Sequence, residues 1–367
     1  MTTQRALMPD YLRLFALFGI VAVNAPYMAF TLVGGFDDAP VNGALDVTTI
    51  WLVDGLFTSK SYGLFSFMFG VGLAFMLRSA EARGVSFRSA YLRRMGGLIL
   101  LGVAHGCLFY PYDILALYGV MGCFLYLMRN KSARDLIIWG VVLLLVQFPI
   151  TAALELYPRE DWEDPSIEAA IMASGTVSEV FAYRTVAFLS GWIFVIPYQG
   201  LASLGWFCLG LAAVRSGMID DPSHRVWARA RWLLVPGLVL SLTASAIWGE
   251  YDWASYLLFG AAPIATAGYL GLIAWVARPP SRLIAAVLMA GGSSLTIYLG
   301  QSILITTVFS PYGLGLWSDW GPLAVTAAAW GITVLLILFV IVWRRFFKLG
   351  PFEWVLRQIT YAALRKA

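Results

Sequence analysis

The feature that most constrains this chain is a series of long apolar segments separated by short connections. The first, from Pro9 to Phe30, is long enough to cross a bilayer, because about 20 apolar residues in a helix span the hydrocarbon core. An ordinary soluble domain is roughly 45 to 50% apolar and about 25% charged, whereas this chain of 367 residues is 60% hydrophobic and 13% charged. The sequence therefore predicts an all-α, polytopic membrane protein.

About ten transmembrane helices are predicted, in one integral membrane domain over residues 1–367. The third and fourth are only 15 residues long and would reach about 22 Å, less than the roughly 30 Å of a hydrocarbon core. Their connection, Tyr110 to Tyr112, is therefore expected below the outer surface, at the end of a funnel. The predicted spans are 9–30, 56–77, 95–109, 114–128, 136–154, 199–214, 232–248, 254–277, 283–309 and 322–343.

The basic residues predict the orientation. With both termini in the cytoplasm, most of the chain's 25 Lys and Arg residues fall in inside connections or in the tail, residues 344–367, as the positive-inside rule requires. The segment from Glu155 to Asp164 is acidic and is expected outside, with Arg159 and Arg184. The predicted location is the plasma membrane, crossed many times.

One apolar segment, Ser178 to Pro197, is long enough to span, but a crossing there would reverse the charge pattern downstream. It is interpreted as an outer-face amphipathic or re-entrant helix, with an eleventh span as the alternative. The tail is expected to form a second amphipathic helix from Pro351, either attracted to anionic lipid or closing the cytoplasmic mouth of a site.

His105 is the main candidate for chemistry, because ionisable groups at membrane depth are rare and usually functional. It lies near the end of the third span, and Asp113 follows just beyond the Pro111 turn. Neutral imidazole is a competent general base, and Asp113 or Asp54 is expected to orient its ring. A purely structural role, as an interhelical hydrogen-bonding group, is the alternative for His105.

Other polar side chains are predicted at a similar depth in different spans. Because lone polar groups in hydrocarbon are costly, they are expected to face one another around a substrate pocket. The pocket residues are Asn24, Lys60, Gln147, Tyr298 and Gln301.

The three cysteines, Cys107, Cys123 and Cys208, lie in apolar segments without the spacing of a zinc site or a disulfide framework. No metal cofactor and no nucleic-acid partner are predicted, and no phosphate-binding glycine loop is recognisable. Membrane lipids are the expected partners. The sequence leaves the oligomeric state open.

Several motifs in order along the chain resemble the YeiB-like family of bacterial inner-membrane proteins, known as domain of unknown function 418. The C-terminal motifs are the most specific. The matching residues are Arg5, Asp10-x-x-Arg13, Gly19-Ile20, Asn24, Asp54-Gly55, Phe65 to Gly72, Leu101-Gly102-x-x-His105, Asp113-Ile114-Leu115, Leu295-Thr296-x-Tyr298-x-x-Gln301-Ser302, Gly350 to Trp354 and Arg357-x-x-Thr360-Tyr361.

The YeiB-like family is similar to a broader superfamily of transmembrane acyltransferases, which includes the acyltransferase-3 proteins and the heparan glucosaminide N-acetyltransferases. This resemblance implies transfer of an acyl group from cytoplasmic acyl-coenzyme A to a hydroxyl or amine of an extracytoplasmic glycan or a lipid-linked acceptor. Asn24 departs from the pattern, since it stands near the place where acyltransferase-3 members carry a histidine in the first span.

In this interpretation His105, Asp54 and Asp113 are catalytic, and a set of arginines binds the phosphates of the donor. That set is Arg13, Arg88, Arg93, Arg94 and Arg357. The alternative is a small-solute transporter, in which His105 and Asp54 relay protons across the same pocket. The acceptor and the acyl-chain length stay open.

Overall fold

A computed structural model describes residues 7–83, 86–155, 165–251 and 253–362 of the chain. Regular structure in these ranges is helical, and they contain no β-strand. The helices are α1 Met8–Asn24, α2 Pro26–Ala29, α3 Ala44–Leu56, α4 Lys60–Arg83, α5 Phe87–Leu108, α6 Ile114–Leu127, α7 Ala133–Glu155, α8 Pro165–Ser174, α9 Val177–Val195, α10 Leu201–Arg215, α11 Arg225–Ala230, α12 Leu234–Ile247, α13 Ala254–Val276, α14 Arg282–Gly291, α15 Ser294–Phe309, α16 Pro322–Trp343 and α17 Pro351–Tyr361.

The all-α, membrane-spanning class is confirmed, but the number of ten spans is not. Within the described residues, seven helical runs are long and apolar enough to cross a membrane, or eight if α14 and α15 form one broken span. The seven are Met8–Ala29, Ala44–Ala82, Ala133–Leu154, Val177–Arg215, Arg225–Ile247, Ala254–Val276 and Pro322–Trp343.

The difference in number comes from α5 and α6, an antiparallel pair of helices that does not meet these limits of length and composition. Three arginines and His105 make α5 less apolar, and α6 has only 14 residues. Helices of this kind need neighbours around them to sit at membrane depth. In this fold α9 and α17 pack against α5, and α10 packs against α6.

Two of the runs are much longer than a bilayer is thick. Ala44–Ala82 and Val177–Arg215 each contain 39 residues, which corresponds to roughly 58 Å of helix. In the first run, α3 and α4 meet at Ser59, whose backbone is left-handed with φ 63°. In the second, a π-helical turn, Ile196–Gly200, joins α9 to α10. α9 therefore continues the direction of α10 and does not fold back as a separate crossing.

The core of the bundle forms where helices approach closely at glycines. At the crossing of α4 and α10, a side chain on Gly70 would collide with the carbonyl of Phe207, and one on Gly210 would collide with the carbonyl of Phe67. Small residues of this kind let membrane helices pack backbone to backbone. The crossing fixes α4 and α10 together behind the α5–α6 hairpin.

The C-terminal part contains a sharply bent pair of helices, α14 and α15, that is held by the tail. α14 and α15 meet at an angle of 75°, which leaves the first N–H groups of α15 without partners inside the helix. Glu353 of α17 supplies acceptors: its Oε1 accepts hydrogen bonds from the backbone N–H groups of Leu295 (2.7 Å) and Thr296 (3.1 Å), and its Oε2 accepts one from the Thr296 hydroxyl (2.5 Å).

Some predicted features lie outside the described residues. They are Arg5, the segment 156–164 with Arg159, and the last tail residues with Arg365 and Lys366.

Candidate functional site

The centre of the candidate site is a buried hydrogen bond between His105 on α5 and Asp113 at the start of α6. The distance from His105 Nδ1 to Asp113 Oδ1 is 2.8 Å, and the two residues are only 3% and 2% exposed. The second carboxylate oxygen, Oδ2, accepts a hydrogen bond from the backbone N–H of Ala116 at 2.8 Å. Asp113 is therefore the N-cap of α6 as well as the partner of the imidazole.

The contact with Asp113 leaves the other imidazole nitrogen free. His105 Nε2 is buried and has no hydrogen-bonding partner among the described residues. When a carboxylate accepts from Nδ1–H, the neutral ring keeps its lone pair on Nε2. The Tyr298 ring lies 5.3 Å from the imidazole, centroid to centroid, and its hydroxyl donates to Asp113 Oδ1 over a long 3.4 Å.

The close pairing depends on Gly102, one turn before His105 on α5. A methyl group at this position would lie 2.5 Å from Asp113 Oδ2 and 2.8 Å from the Cα of Ala116. The absence of a side chain lets the N-terminus of α6 lie directly against α5, and this contact brings the carboxylate to the imidazole. A turn of four residues, Phe109 to Tyr112, completes the hairpin.

Asp54 and Lys60, also predicted in the site, lie together at the junction of α3 and α4. The Asp54 carboxylate accepts a hydrogen bond from the Thr58 hydroxyl at 2.9 Å, and Lys60 Nζ donates to the Asp54 backbone carbonyl at 3.1 Å. Lys60 is fully buried. No hydrogen bond within the described ranges joins this pair to His105, so the structure places Asp113, and not Asp54, against the ring.

The two predicted glutamines are buried but are engaged in holding helices together. Gln147 of α7 donates to the Pro197 carbonyl (2.7 Å) and accepts from the Ala202 N–H (3.1 Å), which satisfies backbone groups freed by the π-helical turn. Gln301 of α15 donates to the Leu17 carbonyl (3.2 Å) and to the Thr333 hydroxyl (2.8 Å). Neither side chain hydrogen-bonds to His105. Asn24, half-buried, is the last residue of α1.

At the other end of α5 lies an open cleft of about 270 Å³. Two of the five predicted donor-binding arginines, Arg94 and Arg357, line it. Neither has a hydrogen bond or an ion pair in the described part of the chain. The remaining lining residues are Met76, Leu349, Glu353, Thr360 and Tyr361.

The other three predicted arginines do not line this cleft. Arg13 pairs with Asp10 at 3.2 Å on the first turns of α1. Arg88 is exposed and Arg93 is half-buried on α5.

Arg94 and His105 lie on nearly the same side of α5. They are 11 residues apart, which is about three helical turns and ~16 Å along the axis. Between them, Gly97 contacts Leu356 of α17, and beyond them Tyr298 of α15 contacts the imidazole. The arginine cleft and the His105–Asp113 pair thus lie along one side of α5.

Sequence reasoning missed a second buried cation near His105. Arg184 of α9 is 3% exposed, and its guanidinium donates to the carbonyl of Leu108, the last residue of α5, at 3.1 Å. It also donates to the Tyr312 hydroxyl (2.9 Å) and to Ser310 Oγ (2.7 Å) in the loop after α15. The sequence offers one signal, an arginine in an otherwise apolar segment, and the charge pattern predicts it at the outer face.

The positive charge of Arg184 affects the pKa of Tyr312, which lies in the loop after α15. Burial alone raises the pKa of its phenol, but the positive charge of Arg184, together with hydrogen bonds from its neighbours, lowers the pKa below the usual value.

In the described ranges, no three His, Cys, Asp or Glu side chains lie close enough together to hold a metal ion.

Comparison with known proteins places the chain in a family. A family model described as "Protein of unknown function (DUF418)" matches residues 213–363. The chain is 30% identical over 380 residues to the uncharacterized protein YeiB of Escherichia coli K12, with 96% of each chain covered. The chain belongs to the YeiB-like DUF418 family. Another member, the uncharacterized protein YxaH of Bacillus subtilis 168, is 29% identical over 389 residues, covering 98% of this chain and 95% of that protein.

The family model matches the C-terminal part of the structure. Its model covers α11 to α17, including the α14–α15 break and Glu353. The His105–Asp113 hairpin lies outside the matched residues but inside the region shared with YeiB and YxaH, which is nearly the whole chain. No solved structure matches the chain.

Proposed function

We propose that this protein is a membrane acyltransferase, which moves an acyl group from acyl-coenzyme A to a hydroxyl or amine of an acceptor. The observation that carries the proposal is the buried His105–Asp113 pair with its unpaired Nε2. A neutral imidazole held by a carboxylate through its other nitrogen is the arrangement that general bases of acyl transfer use. The family's likeness to transmembrane acyltransferases agrees with it.

The chemistry follows from the free nitrogen. His105 Nε2 removes the proton from the acceptor hydroxyl or amine, and the acceptor oxygen or nitrogen attacks the carbonyl carbon of the thioester. The carbon–sulfur bond then breaks, and the coenzyme leaves as a thiolate, which takes the proton from the imidazolium. Asp113 stabilises that imidazolium and keeps the ring in the required orientation.

The arginine cleft is the donor site in this proposal. Arg94 and Arg357 make no hydrogen bond and no ion pair with the described residues, and guanidinium groups form charge-assisted, bidentate hydrogen bonds with phosphates. The ~16 Å between Arg94 and His105 along α5 is comparable with the length of an extended pantetheine arm. A coenzyme bound by its phosphates in the cleft would therefore direct its thioester along α5 towards His105.

Sidedness completes the proposal. We place the protein in the bacterial inner membrane with both termini in the cytoplasm, because basic residues are concentrated at the end of the bundle that carries the cleft and α17. The donor then binds from the cytoplasm. The acceptor, an extracytoplasmic glycan or a lipid-linked compound, approaches from the opposite end, where α9 and the hairpin turn cover His105 and must separate to admit it.

The test uses the full chain in lipid nanodiscs, with acyl-coenzyme A and a membrane extract as the source of acceptors. Release of free coenzyme A is measured, and acylated products are identified by mass spectrometry. His105→Gln can still donate to Asp113 but loses the basic nitrogen, so turnover should fall by about 10²- to 10⁴-fold. Its affinity for acyl-coenzyme A, measured by calorimetry, should equal that of the wild type.

The double variant Arg94→Gln, Arg357→Gln tests the binding of the donor, acyl-coenzyme A. It should weaken donor binding, and the remaining affinity should depend less on salt. Near-wild-type turnover of a folded His105→Gln variant would rule out the general-base role. Absence of acyl-coenzyme A binding by the wild type, together with His105-dependent, proton-coupled solute uptake in proteoliposomes, would establish the transporter class instead.

A further inference from the structure

Arg184 carries a positive charge that the described part of the protein does not balance. All three of its hydrogen bonds go to neutral groups, namely the Leu108 carbonyl and the hydroxyls of Tyr312 and Ser310. No carboxylate of the described residues lies within 4 Å of it. The side chain is nevertheless 97% buried, since only 3% of it is exposed.

A buried, unbalanced cation is costly, and proteins usually compensate it with an anion. The carbonyl end of α5 offers a partial negative charge of roughly half an electron, which covers only part of the guanidinium charge. A guanidinium has five N–H donors, and three hydrogen bonds are accounted for. Nη1 donates twice and Nη2 once, so Nε–H and one N–H of Nη2 remain available to a carboxylate or phosphate oxygen.

The position of Arg184 connects it with the His105 site. Leu108, whose carbonyl it contacts, is three residues after His105 on α5. One turn further along α9, Phe188 packs directly against Gly106, the neighbour of His105. The guanidinium also lies over the Tyr312 ring, 5.7 Å from its centroid. Arg184 thus stands at the end of the hairpin opposite the arginine cleft, where the acceptor is expected to enter.

We propose that Arg184 binds an oxyanion of the acyl acceptor, so that the acceptor class is a phosphate- or carboxylate-bearing compound with a free hydroxyl or amine. The role in catalysis rests on the proposed acyltransferase function, whereas anion binding at Arg184 does not. Such an oxyanion belongs either to a lipid headgroup or to a soluble compound.

The experiment measures thermal unfolding of the full chain in nanodiscs. Soluble sn-glycerol 3-phosphate is titrated in neutral phosphatidylcholine discs, with glycerol as the uncharged control. A second arm replaces part of the phosphatidylcholine with phosphatidic acid. Stabilisation by glycerol 3-phosphate alone identifies a soluble acceptor class, and stabilisation by phosphatidic acid alone identifies a lipid. Absence of stabilisation in both arms overturns the proposal.

Variants assign the effect to one site. Arg184→Gln should lose the stabilisation, whereas the Arg94→Gln, Arg357→Gln double variant and His105→Gln should keep it. Arg184→Lys keeps the positive charge but loses the paired N–H donors of the guanidinium, so the apparent Kd for the anion should rise by roughly tenfold or more. This variant decides the question if Arg184→Gln does not fold. An equal effect of the anion on the wild type and on either Arg184 variant overturns the proposal, and makes Arg184 only a clamp between α5, α9 and the loop after α15.

The two proposals fail in different ways. Anion binding that requires Arg184, without any acyl transfer by the wild type, refutes the acyltransferase function and leaves the anion site. Acyl transfer to a product without any anionic group, identified by mass spectrometry, refutes the role of Arg184 and leaves the acyltransferase function.

Discussion

Replacing Gly102 with alanine should separate α5 from α6 and displace Asp113 from His105. The added methyl group would lie 2.5 Å from Asp113 Oδ2 and 2.8 Å from the Cα of Ala116, while Cβ contacts below 3.4 Å are uncommon. Both obstacles are fixed, since one is helix backbone and the other is a carboxylate engaged at both oxygens. The helices must therefore move apart by on the order of 1 Å in a close-packed interior.

The expected loss of stability follows from two opposing effects. Overpacking typically costs about 1 to 3 kcal/mol, and the better helix propensity of alanine returns up to about 1 kcal/mol. The net destabilisation should lie between roughly 0 and 3 kcal/mol, and it should be about 1 to 3 kcal/mol relative to an alanine that gains the same propensity without a collision. Turnover should fall further than this instability explains, because the carboxylate no longer holds the imidazole at 2.8 Å.

Gly96 provides the matched control on the same helix. A methyl group at Gly96 would meet no other atom within 4 Å, so Gly96→Ala should be neutral or should stabilise the protein by up to about 1 kcal/mol. Unfolding of both variants is followed by tryptophan fluorescence in detergent, together with acyl-coenzyme A turnover. Equal stability and equal turnover of the two variants would show that α5 and α6 are not packed as described.

Three further predictions concern other parts of the structure. Asp113→Asn keeps an N-cap on α6 but no longer fixes the imidazole tautomer, so turnover should fall while the melting temperature changes little; a large loss of stability without a specific loss of turnover would contradict this. Glu353→Ala should destabilise the protein by about 1 to 3 kcal/mol, because the N–H groups of Leu295 and Thr296 lose their acceptor, and an unchanged unfolding curve would speak against the cap. A cysteine at Ser166, in a cysteine-free background, should react with an impermeant thiol reagent in intact cells; labelling only after permeabilisation would reverse the proposed topology.

The sequence was informative about the pairing of His105 because the two residues are close along the chain. Asp113 follows His105 after one short turn, so a hairpin brings them together whatever the rest of the bundle does. The choice between Asp113 and Asp54 was beyond the sequence, because the position of Asp54 depends on how α3 packs against α12 and α16. The same is true of the long α3–α4 run, whose first half lies between the predicted spans 9–30 and 56–77.

Buried polar residues showed the other limit of sequence reasoning. Polarity in an apolar segment predicts that Gln147 and Gln301 are buried. It does not tell whether they line a ligand pocket or form hydrogen bonds with unpaired backbone groups of neighbouring helices. The groups that Gln147 satisfies exist only because a π-helical turn interrupts α9 and α10. Arg184 was missed for a related reason, since its partners Leu108 and Ser310 are distant in sequence.

The Glu353 contact places a condition on how the protein is made. Leu295 precedes Glu353 by 58 residues, so during synthesis at about 5 to 20 residues per second its N–H waits roughly 3 to 12 s for an acceptor. Until the tail leaves the ribosome, the first turn of α15 is uncapped and one wall of the arginine cleft is missing. The arginine cleft, which we propose as the donor site, is therefore complete only after α17 has been made, and loss of α17 to a nonsense mutation or a protease would remove Arg357 from the cleft while leaving the apolar helices before it in place.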